Sequence, residues 1–506
     1  MSRAAKILFL PIILLQVCFF LYVSVHRLID GDEGFYLLAS RLVLQHRAPY
    51  LDFFYTQAPL LPYVYAGWLK LCGISWVSAR IFSALLTTAV AGLLYWHVCR
   101  ETGKWLAGMV AVYLFAGSSL VFAWYPIVKT FALAVLFLFA AYMILAGVTS
   151  QTPKWLIAAA GILVGLSADT RSYIVVVVPV FLWWMVRRIR PRMVVPVALF
   201  CAGLLIGLIP SLVLFVASPD KFWFNNLGYH AMRSPHGLVG DWQNKALVVL
   251  GVFGSAHTGF QFSVLTIIAV GCAVALRKAR ESTVLAMALA VTIGLVSLLP
   301  TPPSVQYFCI AMPFLIVAAV CAANDYLVAL STPQGARNAA VAFGIILIAY
   351  AGFGVPTFRQ YLITGYKVPG ITSPEDAANW TLDEVTAVSR AIDRLASPGE
   401  EVVSYWPGYL FASHADPYPG FENDFGMYAA RRLSPEKQEE YRVLTPGEMA
   451  EVFAQHGPRV AVIGNQGLNS GGLSYPVAKG IVDTYGYTLV SKVGNTSLYV
   501  YRPRGR

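Results

Sequence analysis

The chain has 506 residues, 57% of them apolar and 12% charged, with a mean hydropathy of +0.62. A soluble domain carries roughly 25% charged residues, so soluble, fibrous and disordered classes are excluded and a polytopic membrane protein remains. The formal charge of +11 does not point to nucleic acid: residues 1–358 hold 23 Lys and Arg against 10 Asp and Glu, and residues 359–506 hold 14 against 16. Base gathered in the membrane half is what short cytoplasmic loops produce. All seven cysteines also lie there, at no metal-ligand spacing, and the polar tail has none, so no disulfide framework is expected.

A span needs roughly 20 apolar residues. In chain order, charge-free runs cover 7–26, 81–99, 105–128, 130–153, 193–219, 246–276 and 338–358. The run 282–324 is long enough for two spans, broken at Pro300-Thr301-Pro302-Pro303. Residues 155–168 and 172–186 read as a helical hairpin whose turn holds Asp169 and Arg171. The start resembles a signal peptide's basic region, but Val23-Ser24-Val25-His26 offers no small-residue cleavage site, so the first run reads as a retained anchor.

The total is about 11 transmembrane helices, an odd number, so the two termini face opposite sides. Placing the N-terminus in the cytoplasm puts 13 of the 23 basic residues of this half in short cytoplasmic segments, as the positive-inside rule requires. The loop 27–75, the loop 217–245 and the tail from 359 onward then face outward. The tail, 359–506, reads as an extracytoplasmic α/β domain. Ser373-Pro374-Glu375-Asp376 and Thr445-Pro446-Gly447-Glu448 are capping boxes with Pro at the first helical position. Segments 401–406 and 459–463 read as strands, and 487–493 with 496–501 as a hairpin turning at Gly494-Asn495. Gly464-Asn465-Gln466-Gly467 is too short for a phosphate loop and lacks its Lys.

Four of the ten acids of the membrane half, Asp30, Asp32, Glu33 and Asp52, fall in the first outward loop. Like charges packed into Asp30-Gly31-Asp32-Glu33 repel and raise one another's pKa, so a chain that otherwise avoids acids needs a reason to gather them. Helix capping is one: Asp30 or Asp32 caps and Glu33 favours the positive end of the helix dipole. Chemistry is the other, and a capped helix serves both. Residues 35–44 then fit an interfacial helix lying along the bilayer, and residues 49–55 an aromatic stretch suited to the headgroup layer.

An outward Asp-Glu after the first span, an interfacial helix, Pro59-Leu60-Leu61-Pro62-Tyr63, about eleven spans and an outward α/β tail resemble the GT-C glycosyltransferases of the protein O-mannosyltransferase and lipid A aminoarabinose transferase type. Weaker echoes are 168–171 and 306–313. The resemblance implies a hexosyl- or pentosyltransferase of the inner (plasma) membrane. It would take its sugar from a polyprenyl-phosphate lipid and pass it to a glycan, lipid or protein hydroxyl, with inversion and without nucleic acid. Asp32 matches the catalytic Asp, acting as general base, and Glu33 its neighbour. Gln57 stands where aminoarabinose transferases tend to carry Lys, which argues against aminoarabinose transfer and leaves the lipid phosphate to another cation.

Candidate cations are Lys129, Arg171, Lys221, Arg233 and Lys245. Arg171 equally fits an ion pair with Asp169, and Lys129 a side chain snorkelling to the interface. Residues 222–233, with His230 and Arg233, fit either a closure over the substrate head or a plain interfacial loop. Gln306 and Tyr307 fit donor binding or span capping, and Asp52 loop folding or acceptor binding. No metal is required, though a divalent ion is compatible with the chemistry. The competing functions are a transporter or flippase of lipid-linked sugars, which would need charges buried within spans, and a non-catalytic scaffold.

Overall fold

The computed structural model describes all residues except 1, 2, 234–236, 256, 257, 301, 366, 367, 369, 370, 372, 374, 465–474 and 503–506, and only the backbone of 237–241. The Gly464–Gly467 motif therefore lies almost wholly outside the described residues. Among them, six helices are long and apolar enough to cross a membrane: Arg3–His26, Trp76–Thr102, Ser172–Ile189, Thr258–Leu276, Val305–Ala329 and Pro333–Thr364. A seventh span is the bent pair Val194–Gly207 and Ile209–Ala217, which meet at 60°. Shorter apolar helices, Trp105–Ala116, Thr130–Ala146 and Glu281–Val296, fill the bundle between them.

The sequence leads one to expect about eleven spans, and the described residues show six or seven of that length, with two of the expected runs broken. The run 193–219 is broken because Pro210, in the first turn of the second piece, has no N–H to continue the ladder. The charge-free run 246–276 is divided between helices Gly237–Gly254 and Thr258–Leu276, the first ending at a glycine followed by serine. The hairpin at Asp169 and Arg171 is present as helices Lys154–Thr170 and Val178–Ile189, joined by a tight 3-10 turn.

A small-residue seam fixes that hairpin against the bent span. A Cβ added at Gly161 or Gly203 would meet a carbonyl oxygen of the other helix at 2.1 Å, and one at Gly165 or Gly207 at 2.4 or 2.3 Å. Two glycines four apart on each helix let the backbones touch, the packing device of membrane helices that gain little from apolar burial in lipid.

The first loop builds helices α1 (Arg3–His26), α2 (Gly31–Leu44), α3 (Leu60–Cys72) and α4 (Trp76–Thr102) into one unit. Contrary to the interfacial reading, α2 does not lie open to a bilayer: its residues from Glu33 to Leu42 are all buried. Its apolar residues run round the whole helix, and the short helix Gly408–Phe411 of the C-terminal domain, with the segment that follows it, covers it. The aromatic stretch is likewise inside protein, with Tyr50, Phe53, Phe54 and Tyr55 each no more than 2% exposed.

The C-terminal sheet has strands β1 (Glu401–Ser404), β2 (Asp416–Pro417), β3 (Val460–Ile463), β4 (Tyr487–Val493) and β5 (Thr496–Tyr501), in the order β2-β1-β3-β5-β4. β1 pairs in parallel with β2 and β3, while β5 pairs antiparallel with β3 and β4. The Thr445 capping box heads an α-helix as expected, whereas Ser373 and Asp376 exchange their two bonds ahead of a 3-10 helix.

Arg41 of α2 locks the domain in place. Its guanidinium, 5% exposed, donates to the carbonyls of Leu410, Ser413 and Ala415 and to Asp416 Oδ1 at 2.5–2.8 Å. Trp406 closes the same contact: its indole N–H donates to the Gly31 carbonyl at 2.8 Å, and its ring stacks on Trp76 of α4. Gly34 permits this approach, since a Cβ there would lie 2.7 Å from the Trp406 ring and 2.8 Å from the Gly408 nitrogen. Gly34→Ala should therefore cost about 1–3 kcal/mol, read as a lower thermal midpoint in detergent; a midpoint at or above the parent's would refute the contact.

Candidate functional site

The acidic turn is a capping box. The Asp30 side chain accepts from Asp32 N at 3.2 Å and the Glu33 side chain accepts from Asp30 N at 2.8 Å. Its three carboxylates are held by two cations: Arg80 takes Glu33, and Lys129 takes both Asp30 and Asp32. Glu33 is wholly buried: Oε1 and Oε2 take the Arg80 fork at 2.6 Å each, and Oε2 also takes Val128 N at 3.0 Å. Arg80, also wholly buried, spends its remaining donors on the carbonyls of Ser24 and Arg27. Glu33 is thus saturated by protein and positions the turn, without an oxygen left for substrate.

Asp30 and Asp32 share Lys129. Its ammonium, 4% exposed, lies 2.8 Å from Asp30 Oδ1, 3.0 Å from Asp32 Oδ2 and 2.9 Å from Gln306 Oε1, over the face of Trp124. It does not snorkel to an interface. Burial pushes the Asp30 carboxyl up, but Lys129 and then Arg27 outweigh it and hold it below the ordinary value. Burial likewise opposes the charge on Lys129, and Asp30 and Asp32 overcome it, so the ammonium stays firmly protonated. Asp32 is the open member of the set, with 35% of its side chain exposed.

Arg171, whose charge reaches Tyr36 as that of Asp32 does, makes no ion pair with Asp169. Its guanidinium is 6% exposed, donates to Thr130 Oγ1 at 2.6 Å and lies 4.7–4.9 Å from the ring centres of Phe131, Tyr173 and Tyr307. No carboxylate among the described residues comes within salt-bridge distance of it; Asp169 instead accepts from Ser211 N, in the first turn after the bend. Tyr36 links the two sides. Burial raises its phenol, Asp32 adds to the rise, and Arg171 and Lys129 oppose it. Sequence reasoning missed Arg80, Arg27 and Tyr36; the visible signal was that Arg80 is a lone charge at the head of an apolar run.

The loop that follows the bent span closes this end. Asn225 Oδ1 accepts from Tyr55 N at 2.9 Å, and His230 Nε2 is 2.9 Å from the Thr56 carbonyl. Arg233 lies between the rings of Tyr229 and Phe425, the latter from the C-terminal domain. Three other candidates serve the loops. Asp52 Oδ2 accepts from Ala48 N, Gln57 gives its backbone carbonyl to the Tyr50 hydroxyl, and Lys221 reaches the Leu51 carbonyl. Lys245 lies over Trp242. Among the described residues, no three His, Cys, Asp or Glu gather as a metal site.

The same fold recurs in known proteins. Residues 56–216 match the family model described as Dolichyl-phosphate-mannose-protein mannosyltransferase. The crystal structure of ArnT from Cupriavidus metallidurans bound to undecaprenyl phosphate superposes with a TM-score of 0.64 at 13% identity, covering 100% of this chain and 99% of that one. The same protein in the apo state gives 0.62 at 13% identity, over 98% of each chain. No curated protein sequence matches. The whole chain thus shares its fold with ArnT. The likeness to the mannosyltransferase family model covers residues 56–216, and the likeness to ArnT is one of fold.

Removing the shared cation should be costly, because it strands a buried carboxylate. Lys129→Met is expected to lower stability by about 3–5 kcal/mol, with part regained on adding Asp30→Asn; an unchanged unfolding midpoint in detergent would refute the pairing. His230 gives a second check. Burial first, and then Arg233 and Arg171, push its imidazole down to about 4 against the opposing Thr56 contact, whereas an unfolded His titrates near 6.5. Its contribution to stability is thus full above about pH 6.5 and declines as the pH falls toward 4, because the unfolded chain alone takes up the proton. His230→Gln should lose less stability than the parent between about pH 7 and about pH 4.5; equal losses would place the titration elsewhere.

Proposed function

We propose that the chain is an integral-membrane glycosyltransferase that moves a sugar from a polyprenyl-phosphate donor to an acceptor hydroxyl on the outer face of the membrane, with Asp32 as general base. The observation that carries this reading is the buried Arg171 guanidinium, ringed by aromatic side chains and lacking a carboxylate partner among the described residues, together with the open carboxylate of Asp32. A buried cation without a counter-ion is costly, and an anionic substrate group relieves it. The similarly folded ArnT was crystallised with undecaprenyl phosphate bound, which supports a lipid phosphate as that anion.

In the step, the acceptor oxygen attacks the anomeric carbon while its proton passes to Asp32. The bond from the anomeric carbon to the phosphate oxygen breaks, and its electron pair stays on the phosphate. Arg171 stabilises the charge that develops there, a contribution of order 3 kcal/mol for one well-placed donor. The base adds roughly 10²–10⁴ in rate. Lys129 remains on Asp30 when Asp32 takes the proton, so the turn keeps a compensated carboxylate throughout. The membrane orientation follows the distribution of Lys and Arg, which sets the basic loops in the cytoplasm and this site outside.

Asp32→Asn should lower transfer by about 10²–10⁴ with binding of polyprenyl phosphate retained, while Arg171→Leu should weaken that binding. Near-wild-type transfer by folded Asp32→Asn would remove Asp32 as the base.

A further inference from the structure

The end of the bundle opposite the acidic turn carries an apolar groove. It holds about 200 Å³ between helices Trp105–Ala116, Thr258–Leu276, Val305–Ala329 and Pro333–Thr364. Ala107, Val110, Ile268, Ala323 and Phe343 stand in its walls, and Lys104, exposed at the head of the first helix, is the one charged residue that lines it among the described residues. The same helices expose Leu106, Met109, Val328 and Ile345. In a bilayer such a groove meets hydrocarbon, and left empty it forfeits the dispersion contacts of its walls. The charges at this end bear on the headgroup. Its three carboxylates are engaged within the protein: Asp325 takes the Arg280 fork at 2.5 and 2.6 Å, Glu281 pairs with Arg187 and Arg188, and Glu101 accepts from the Ser282 hydroxyl. Lys104 has no carboxylate within salt-bridge distance among the described residues, nor have the exposed Arg277, Lys278 and Arg337.

We propose that this groove binds an anionic glycerophospholipid, with one acyl chain along its walls and the phosphate on Lys104. The site is separate from the one that holds the acidic turn. Gln306 meets Lys129 and Tyr307 meets Arg171 at the head of helix Val305–Ala329, whereas Asn324, which lines the groove, lies 18 residues further along it. At 1.5 Å per residue that is roughly 27 Å, so a lipid whose phosphate sits on Arg171 cannot also place it on Lys104. On the orientation proposed above, the bound lipid belongs to the cytoplasmic leaflet, whose anionic headgroups attract basic residues at the membrane surface. A free cation over an apolar channel matches both halves of such a lipid, and a zwitterionic headgroup would bring its own ammonium against Lys104.

Native mass spectrometry of the full-length protein in detergent gives dissociation constants for the first bound phosphatidylglycerol, phosphatidylcholine and polyprenyl phosphate. Phosphatidylglycerol should bind about fivefold tighter than phosphatidylcholine with the same chains, the increment of one cation at a membrane surface. Lys104→Gln should bring the two within about twofold, whereas Arg337→Gln, which does not line the groove, should keep the preference. Ala323→Phe and Ala107→Phe fill the groove from different walls; whichever of them keeps the parent's unfolding midpoint should weaken both glycerophospholipids and leave polyprenyl phosphate unchanged. Equal affinity for the two glycerophospholipids in the parent, a preference that survives Lys104→Gln, or unaltered binding in the filled variants would each overturn the site. An equal loss in Arg337→Gln would assign the preference to a diffuse basic surface and overturn it too. Polyprenyl phosphate binding that falls with Lys104→Gln would give the groove to that lipid instead, against the proposal.

Discussion

Two buried cations hold this end of the molecule together. Arg80 and Lys129 arrive from different helices and end on the carboxylates of a single four-residue turn. Neither cation could be buried alone, and neither Glu33 nor Asp30 could be buried without them. The capping box fixes how the three acids point, so α2 starts where the charges meet. Everything specific about the site follows. Two carboxylates are consumed by structure, and the third, Asp32, is left open beside a cation that already has another partner.

This division of labour explains why a chain so poor in acids concentrates them here. Repulsion within the cluster is answered locally by Arg27, Arg80 and Lys129. The remaining cation, Arg171, is different in kind. Aromatic faces surround it, which stabilise a guanidinium without neutralising it. Charges compensated by the protein hold the fold, and Arg171, with no carboxylate partner among the described residues, supports the reading of an anion site.

The apolar character of the first 358 residues, the capped acidic turn, the hairpin at Asp169 and Arg171 and the strand hairpin at Gly494-Asn495 were legible because each depends on local order: hydropathy, caps and turn chemistry. The proximity of Asp32, Lys129 and Gln306 was legible only as three separate candidates, since residues 97 and 177 positions apart meet through helix packing. The errors share a cause. Residues 35–44 and 49–55 look bilayer-facing in sequence because aromatic and apolar residues are the same whether lipid or protein covers them. The segment that covers α2 is some 370 residues away in sequence. The glycine seam between helices Lys154–Thr170 and Val194–Gly207 was similarly hidden, for it needs both partners in view.

The grip of Arg41 on the segment from Leu410 to Asp416 ties the beginning of the polypeptide to its last quarter. During synthesis, α2 leaves the ribosome long before the carbonyls that will satisfy its guanidinium exist. Until the C-terminal domain forms, Arg41 and the Gly31 carbonyl lack these partners, while the acidic turn already has Arg27, Arg80 and Lys129. The contact between α2 and the C-terminal domain is therefore completed last, and a nascent chain carries the acidic turn before it carries the segment that covers it.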